Sequence, residues 1–283
     1  MNNNSVDWNM VWTEMMQANQ KADHQERGDC AKLWDSRENA ERFWKRSQKN
    51  KGRIEKTLKE LPIKKGSRVL DIGSGPGSLA IPLSEKVAHV TAVEPGKGMM
   101  ELLQENISKY GINNISCVNK RWEDLNVEDD LEGPYDIVIA SFSLGMPDIR
   151  NAIEKMQSAS SGHVCLYWFA GETPWEAHSY NLWPAMYGME YSPGPKCDVL
   201  YNLLYSMGIF PDMHVFPLEF TNDFGSMDEA IDYFRSRYTI DTEQQEMILR
   251  NYLEETLEQQ DGQFVDHGHS TRVKIWWEKE VID

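Results

Sequence analysis

Val69-Leu70-Asp71-Ile72-Gly73-Ser74-Gly75-Pro76-Gly77 is the stretch on which the fold turns. An apolar run ends in an acid, passes three alternate glycines, and opens into residues 79–86, whose apolar spacing predicts a helix. Glycine permits the tight turns of such a loop and lets a ligand lie against bare backbone. The helix that follows would offer unpaired N–H groups to electronegative ligand atoms. Dinucleotide sites have a different spacing, G-x-G-x-x-G, which would require glycine where this chain has Ser78. Asp71 would also set negative charge close to a pyrophosphate, whereas it can pair with the ammonium of an amino-acid moiety.

Outward from the loop, strand-like runs recur at 68–72, 89–93, 115–118, 136–140 and 162–169. Helical stretches fall between most of them, at 79–86, 99–110 and 149–158. A helix is expected at 199–207, strands at 213–220 and 271–277, and two helical stretches between 227 and about 259. This alternation implies a doubly wound α/β fold with a mostly parallel, seven-stranded sheet and right-handed crossovers. Residues 1–60 read as an N-terminal helical cap or lid. Residues 61–283 read as the core, with an aromatic insertion about 171–198 and a helical insertion about 226–259. The cap carries Trp8, Met10, Trp12, Met15, Met16, Trp34, Phe43 and Trp44. Burying each large side chain is worth roughly 1.5–3 kcal/mol, so the segment should dock, most naturally beyond the strand tips.

The glycine loop resembles the first motif of class I S-adenosylmethionine-dependent methyltransferases, and the flanking pattern over roughly residues 65–169 is similar to that family. The resemblance implies a Rossmann-like sheet and S-adenosyl-L-methionine as cofactor, with Asp71, Gly73, Ser74, Gly75 and Gly77 holding its methionine portion. Val93-Glu94-Pro95 lies at the end of the next strand, 23 positions beyond Asp71. An acid there can accept hydrogen bonds from both ribose hydroxyls. The resemblance gives that role to Glu94, with Pro95 and Met99 beside it. After the third strand, Arg121 stands where many family members carry an acid that reads adenine. The contact is therefore moved to Glu123, with Trp122 packing near the ring. Ser141 and Phe142, at the end of the fourth strand, are candidates to line the methyl-transfer centre.

Methyl transfer needs an acceptor lone pair in line with the methyl–sulfur bond, and positioning alone can supply roughly 7–11 kcal/mol. A base is therefore optional; within the aromatic insertion, His178 is the residue whose ordinary pKa suits one. Trp175, Tyr180, Trp183, Met186 and Tyr187 in the same insertion could close the pocket. The leading expectation is a small-molecule acceptor. The alternatives are a protein side chain or tRNA, a non-catalytic cofactor-binding protein, and, most distantly, a nicotinamide dehydrogenase.

Composition sets the surroundings. Hydrophobic residues make up 40% of the 283-residue chain and charged residues 26%, enough for an ordinary core. The net charge of -16 disfavours nucleic acid. One stretch, 41–68, runs the other way, with eleven Lys/Arg against Glu41, Glu55 and Glu60. Phe43, Ile54, Leu58 and Leu61 give it a buried stripe, so its cations read as the solvated face of a helix, with an acidic partner as the sharper reading. No apolar run approaches a membrane span, and residues 1–5 lack a signal layout. Cys30, Cys117, Cys165 and Cys197 are widely spaced, which suits core thiols in a cytoplasmic protein. His267 and His269 fall in a stretch read as loop and have no third partner, so no metal site is expected. The chain is expected to be a monomer or homodimer.

Overall fold

The computed structural model describes residues 6–22, 30–49, 51–235 and 237–279. The N-terminal region forms α1 (Trp8–Ala22), α2 (Cys30–Trp34), α3 (Arg37–Lys49) and α4 (Lys51–Glu60). The core then alternates β1 (Arg68–Ile72), α5 (Ala80–Ser84), β2 (His89–Val93), α6 (Lys97–Tyr110), β3 (Ile115–Val118), α7 (Val127–Asp130), β4 (Tyr135–Ser141), α8 (Ile149–Ala159) and β5 (Ser160–Phe169). It continues through α9 (Pro174–Tyr187), α10 (Cys197–Ser206), β6 (Asp212–Phe224), α11 (Met227–Arg235), α12 (Glu243–Thr256), β7 (Glu258–Gln260) and β8 (Gln263–Glu278).

The sheet runs β3-β2-β1-β4-β5-β8-β6, with the short β7 paired to β8. β1 to β5 are parallel, and β8 lies antiparallel between β5 and β6. The expected seven-strand path is therefore present, with β7 as an eighth, three-residue addition. Strand order reverses between β1 and β4, and in such sheets the ligand crevice opens beyond the strand carboxyl ends at that switch point.

The period of two along each strand sends side chains to opposite faces. Leu70, Ile72, Val138 and Ala140 join one core with α1, α8 and α10. Val69, Ile137 and Ile139 join another with α4, α5 and α6. Helices thus cover both faces, as continuous apolar strands require.

The N-terminal cap is divided between these surfaces. Trp12 of α1 is 0% exposed, stacks near Trp168 with ring centroids 5.7 Å apart, and donates its indole N–H to the Met146 carbonyl at 2.9 Å. α1 is therefore built into one core. α3 packs instead on α6, where Ala40, Met99 and Leu102 form a small buried group with Trp34, Phe43 and Trp44 around it.

One sequence expectation gains detail here and one changes. The aromatic segment about 171–198 contains a 14-residue helix, α9, started by Thr173 and Glu176 as a capping box. Trp183 and Met186 are buried against Phe234, Leu249 and Leu253, so both insertions share one satellite core. His267 and His269 lie on β8, not in a loop, because β8 pairs with β6 along thirteen register positions from Phe264 to Trp276. The described cysteines Cys117, Cys165 and Cys197 are free. Residues 1–5 and the Cys30 side chain lie outside the described residues. Among the described residues no helix is long and apolar enough to cross a membrane.

Candidate active site

The glycine loop is stitched to the tip of β2: Gly73 and Ser74 donate N–H groups to the Val93 carbonyl at 2.8 and 3.1 Å. Gly73, Gly75 and Gly77 all have positive φ, at 71°, 56° and 89°. Their surroundings differ. A Cβ on Gly73 would sit 2.3 Å from Ser143 Cβ, and one on Gly77 2.6 Å from Leu103 Cδ1. A Cβ on Gly75 would meet only Phe43 and Met99, at 3.9 and 4.0 Å. Gly73 and Gly77 are thus needed for packing, while a Cβ on Gly75 would make only ordinary van der Waals contact.

Asp71, next to the end of β1, is 1% exposed, and its Oδ2 has no hydrogen-bond partner. Burial, reinforced by the neighbouring Glu94 charge, pushes its carboxyl up to about 7. The Ser74 hydroxyl is likewise buried and unpartnered. Glu94 accepts N–H groups from Gly75 at 2.9 Å and Gly96 at 2.8 Å, one on each oxygen. Burial raises its carboxyl above the ordinary range despite those two bonds. Each oxygen keeps a lone pair for a further donor.

Two adjacent desolvated carboxylates with spare acceptor capacity, beside an unpartnered hydroxyl and an uncrowded glycine, suit a cationic ligand rich in N–H and O–H groups. A pyrophosphate would meet repulsion. The cofactor that the glycine loop implies, with its ammonium, sulfonium and ribose hydroxyls, fits these residues.

The remaining expected residues surround this centre unequally. Pro95 leads into α6; Met99 is buried beneath Trp34 and Phe43. Trp122 belongs to the core around Ile72 and Val93, and its indole N–H is spent on the Ala152 carbonyl at 3.1 Å. Glu123 is exposed. Ser141 is half-buried at the tip of β4, and Phe142 follows it at φ 57°, a conformation that non-glycine residues rarely adopt. The Ser143 hydroxyl donates to the Ile72 carbonyl at 2.5 Å, tying this tip to the glycine loop.

His178 lies away from this loop, in a cavity of about 340 Å³ with Glu172, Tyr252, His267 and His269. Its Nε2 is 3.2 Å from Asp266 and its Nδ1 2.9 Å from the Tyr252 hydroxyl, so both ring nitrogens are engaged. Among the described residues no group of three His, Cys, Asp or Glu could hold a metal ion.

Sequence reasoning missed Arg53 and Arg272. Their guanidinium carbons lie 5.6 and 4.3 Å from the Phe142 ring centroid. The basic stretch 41–68 pointed to Arg53, but as a solvated cation; no local signal marked Arg272.

Comparison with known proteins agrees with this fold. Residues 69–160 match the model of a methyltransferase domain. A protein of Bacillus halodurans C-125 described as a candidate methyltransferase has the same fold, with a TM-score of 0.56 at 14% identity over 81% of this chain and 99% of that one. The chain thus carries, over residues 69–160, a stretch similar to methyltransferase domains, on a fold shared with that protein. An uncharacterized protein of Haemophilus influenzae is 26% identical over 228 residues, 80% of this chain and 81% of its own length. The ribosomal RNA small subunit methyltransferase A of Magnetococcus marinus is 49% identical over 49 residues, 17% of this chain and 18% of that one.

Proposed function

We propose that this methyltransferase acts on a small molecule held beneath its N-terminal helices. The observation that carries the reading is how closely those helices cover the cofactor loop. A Cβ on Gly98 would lie 2.7 Å from the Ser36 backbone, one on Gly96 2.8 Å from Trp34, and Phe43 reaches the space beside Gly75. The Lys97 N–H donates to Asp35 at 2.9 Å across the same seam. A roof this close leaves little room for a folded RNA or protein surface. The net charge of -16 weighs in the same direction.

When bound, S-adenosylmethionine supplies an electrophilic methyl group on sulfur. Asp71 would hold its ammonium, and the Ser74 hydroxyl with the Gly73, Gly75 and Gly77 backbone would border the methionine portion. Glu94 would accept from the ribose hydroxyls while staying tied to Gly75 and Gly96. Pro95 and Met99 would flank the nucleoside, Glu123 would reach its adenine, and Trp122 would support that wall from the core. Ser141 and Phe142 would face the acceptor. His178, with both nitrogens engaged, would set the position of the Tyr252 hydroxyl and not take a proton directly.

Calorimetry with S-adenosylmethionine, its demethylated product and NAD tests the cofactor assignment; binding of NAD alone would overturn it. Methyl release from labelled cofactor over a metabolite panel, with bulk tRNA and protein extracts alongside, tests the acceptor. Labelling of tRNA or protein with no metabolite turned over would overturn the small-molecule reading.

A further inference from the structure

Beyond Phe142, Tyr167 of β5, Phe216, Pro217 and Leu218 of β6 and the helix α4 enclose a second cavity of about 120 Å³. Its apolar wall includes Phe142, Phe216 and Leu218; its polar lining is Arg53, Lys56, Thr57 and Glu60, with Tyr167. Tyr167 is 1% exposed and its hydroxyl has no hydrogen-bond partner. A buried phenol without a partner forgoes a hydrogen bond, so it marks a place where a ligand acceptor belongs.

The charges around this cavity do not balance. Lys56 and Glu60 answer one another at 3.9 Å, and His214 stands 3.8 Å from the same Glu60 carboxylate. Lys274 donates to the Glu60 carbonyl at 2.5 Å. Arg53, half-buried, and Arg272, 7% exposed, have no carboxylate partner among the described residues. Both lie over the Phe142 ring, and Arg272 also stands 5.6 Å from the Phe169 ring centroid. Arg272 gives its Nε–H to the Ser270 hydroxyl at 3.0 Å, a neutral acceptor. Burial and the nearby Arg53 charge push the Arg272 guanidinium down to about 9. Two desolvated guanidiniums side by side cost stability unless something negative joins them. An oxyanion is what their fixed N–H forks match.

We propose that this cavity is the acceptor's binding subsite and takes an oxyanion, a carboxylate or phosphate, borne by a small molecule with an apolar body. Arg53 and the Tyr167 hydroxyl donate to the anion, and Arg272 raises the positive potential behind Phe142. The ring walls take the apolar body. Glu60 Oε2, buried and without a partner, accepts from a ligand hydroxyl or N–H. The assignment rests on the small-molecule reading above and narrows it to acidic acceptors. The subsite adjoins the cofactor edge through Phe142, which directly follows Ser141.

The test uses the full chain saturated with demethylated cofactor, and benzoate, phenyl phosphate and neutral benzamide as probes in calorimetry. The expected result is binding of benzoate or phenyl phosphate, whichever is tighter naming the anion, with benzamide much weaker. Tyr167→Phe and Arg53→Gln should each weaken the anion roughly tenfold or more while cofactor affinity stays unchanged. Tyr167→Phe removes one oxygen from the core, so it keeps the test open if Arg53→Gln fails to fold. Equal binding of benzoate and benzamide, or full anion affinity in both variants, would overturn the proposal. So would an absence of anion binding by protein that still binds demethylated cofactor. Wild-type protein that binds neither would bring down the cofactor assignment together with this one.

Discussion

The carboxyl edge of the sheet holds buried charge of opposite sign at two places. At the tips of β1 and β2, Asp71 and Glu94 lie beside one another with spare acceptor capacity. Toward β5 and β8, Arg53 and Arg272 share one aromatic ring and have no carboxylate. Each pair repels itself and each is desolvated, so each weakens the free protein. The supports differ in kind. On the acidic side Glu94 is held by backbone, through the Gly75 and Gly96 N–H groups. The basic pair is held by side chains, through Phe142 and Ser270. The chain thus spends stability to keep one place ready for a cation and another for an anion.

The comparison breaks most violently at Gly73. Its left-handed φ and the Ser143 Cβ beside it predict that Gly73→Ala costs roughly 2–5 kcal/mol of stability. Gly75→Ala, with room for the methyl, should cost only ~1–2 kcal/mol, the left-handed strain alone. Urea denaturation of both reads this difference; equal losses would show that the loop is not anchored through Ser143.

Asp71→Asn tests the acidic pair next. Binding of the demethylated cofactor should weaken by ~1–3 kcal/mol at pH 8. Because the Asp71 carboxyl is raised to about 7 in the free protein, wild-type affinity should climb as pH rises from 6 to 8, and the Asn variant should stay flat. Stability moves the opposite way. The folded carboxyl binds its proton up to about pH 7 and the unfolded one only up to its ordinary 3.8. Wild-type stability therefore falls as pH rises through that window. Asp71→Asn should melt higher than wild type at pH 8 and lose that advantage near pH 4. A variant less stable than wild type at pH 8 would show that Asp71 is already satisfied.

Glu94→Gln keeps one acceptor oxygen and loses the charge, so cofactor binding should drop by ~1–2 kcal/mol. The drop should shrink for a ligand without ribose hydroxyls; an equal loss would take the ribose role from Glu94. The smallest effect is expected at the other pair. Arg53→Gln removes one of two repelling cations, and with solvent screening the free protein should gain less than about 1 kcal/mol. Salt should erase that gain. A clear loss in thermal melting would mean that Arg53 has a structural partner.

Sequence alone carried the acidic half because its parts are local. Asp71 and the three glycines sit in one short stretch of sequence, and Glu94 follows after one helix and one strand, so period and spacing place all five residues at neighbouring strand tips. The five parallel strands were legible for the same reason, since each is a short apolar run between amphipathic helices. Tertiary structure decided what depends on pieces distant in the chain. It put Trp12 into the main core, joined two separate insertions through Trp183 and Phe234, and drew His267 and His269 into a long strand by pairing it with β6. It also turned Arg53 inward from a stretch whose cations read as solvated, and set Arg272 against the same ring. A charged side chain on a helix looks alike in sequence whether it faces water or a cavity. Only the packing of α4 against β5 and β6 removes the water, and that is where an unpaired guanidinium becomes a binding group.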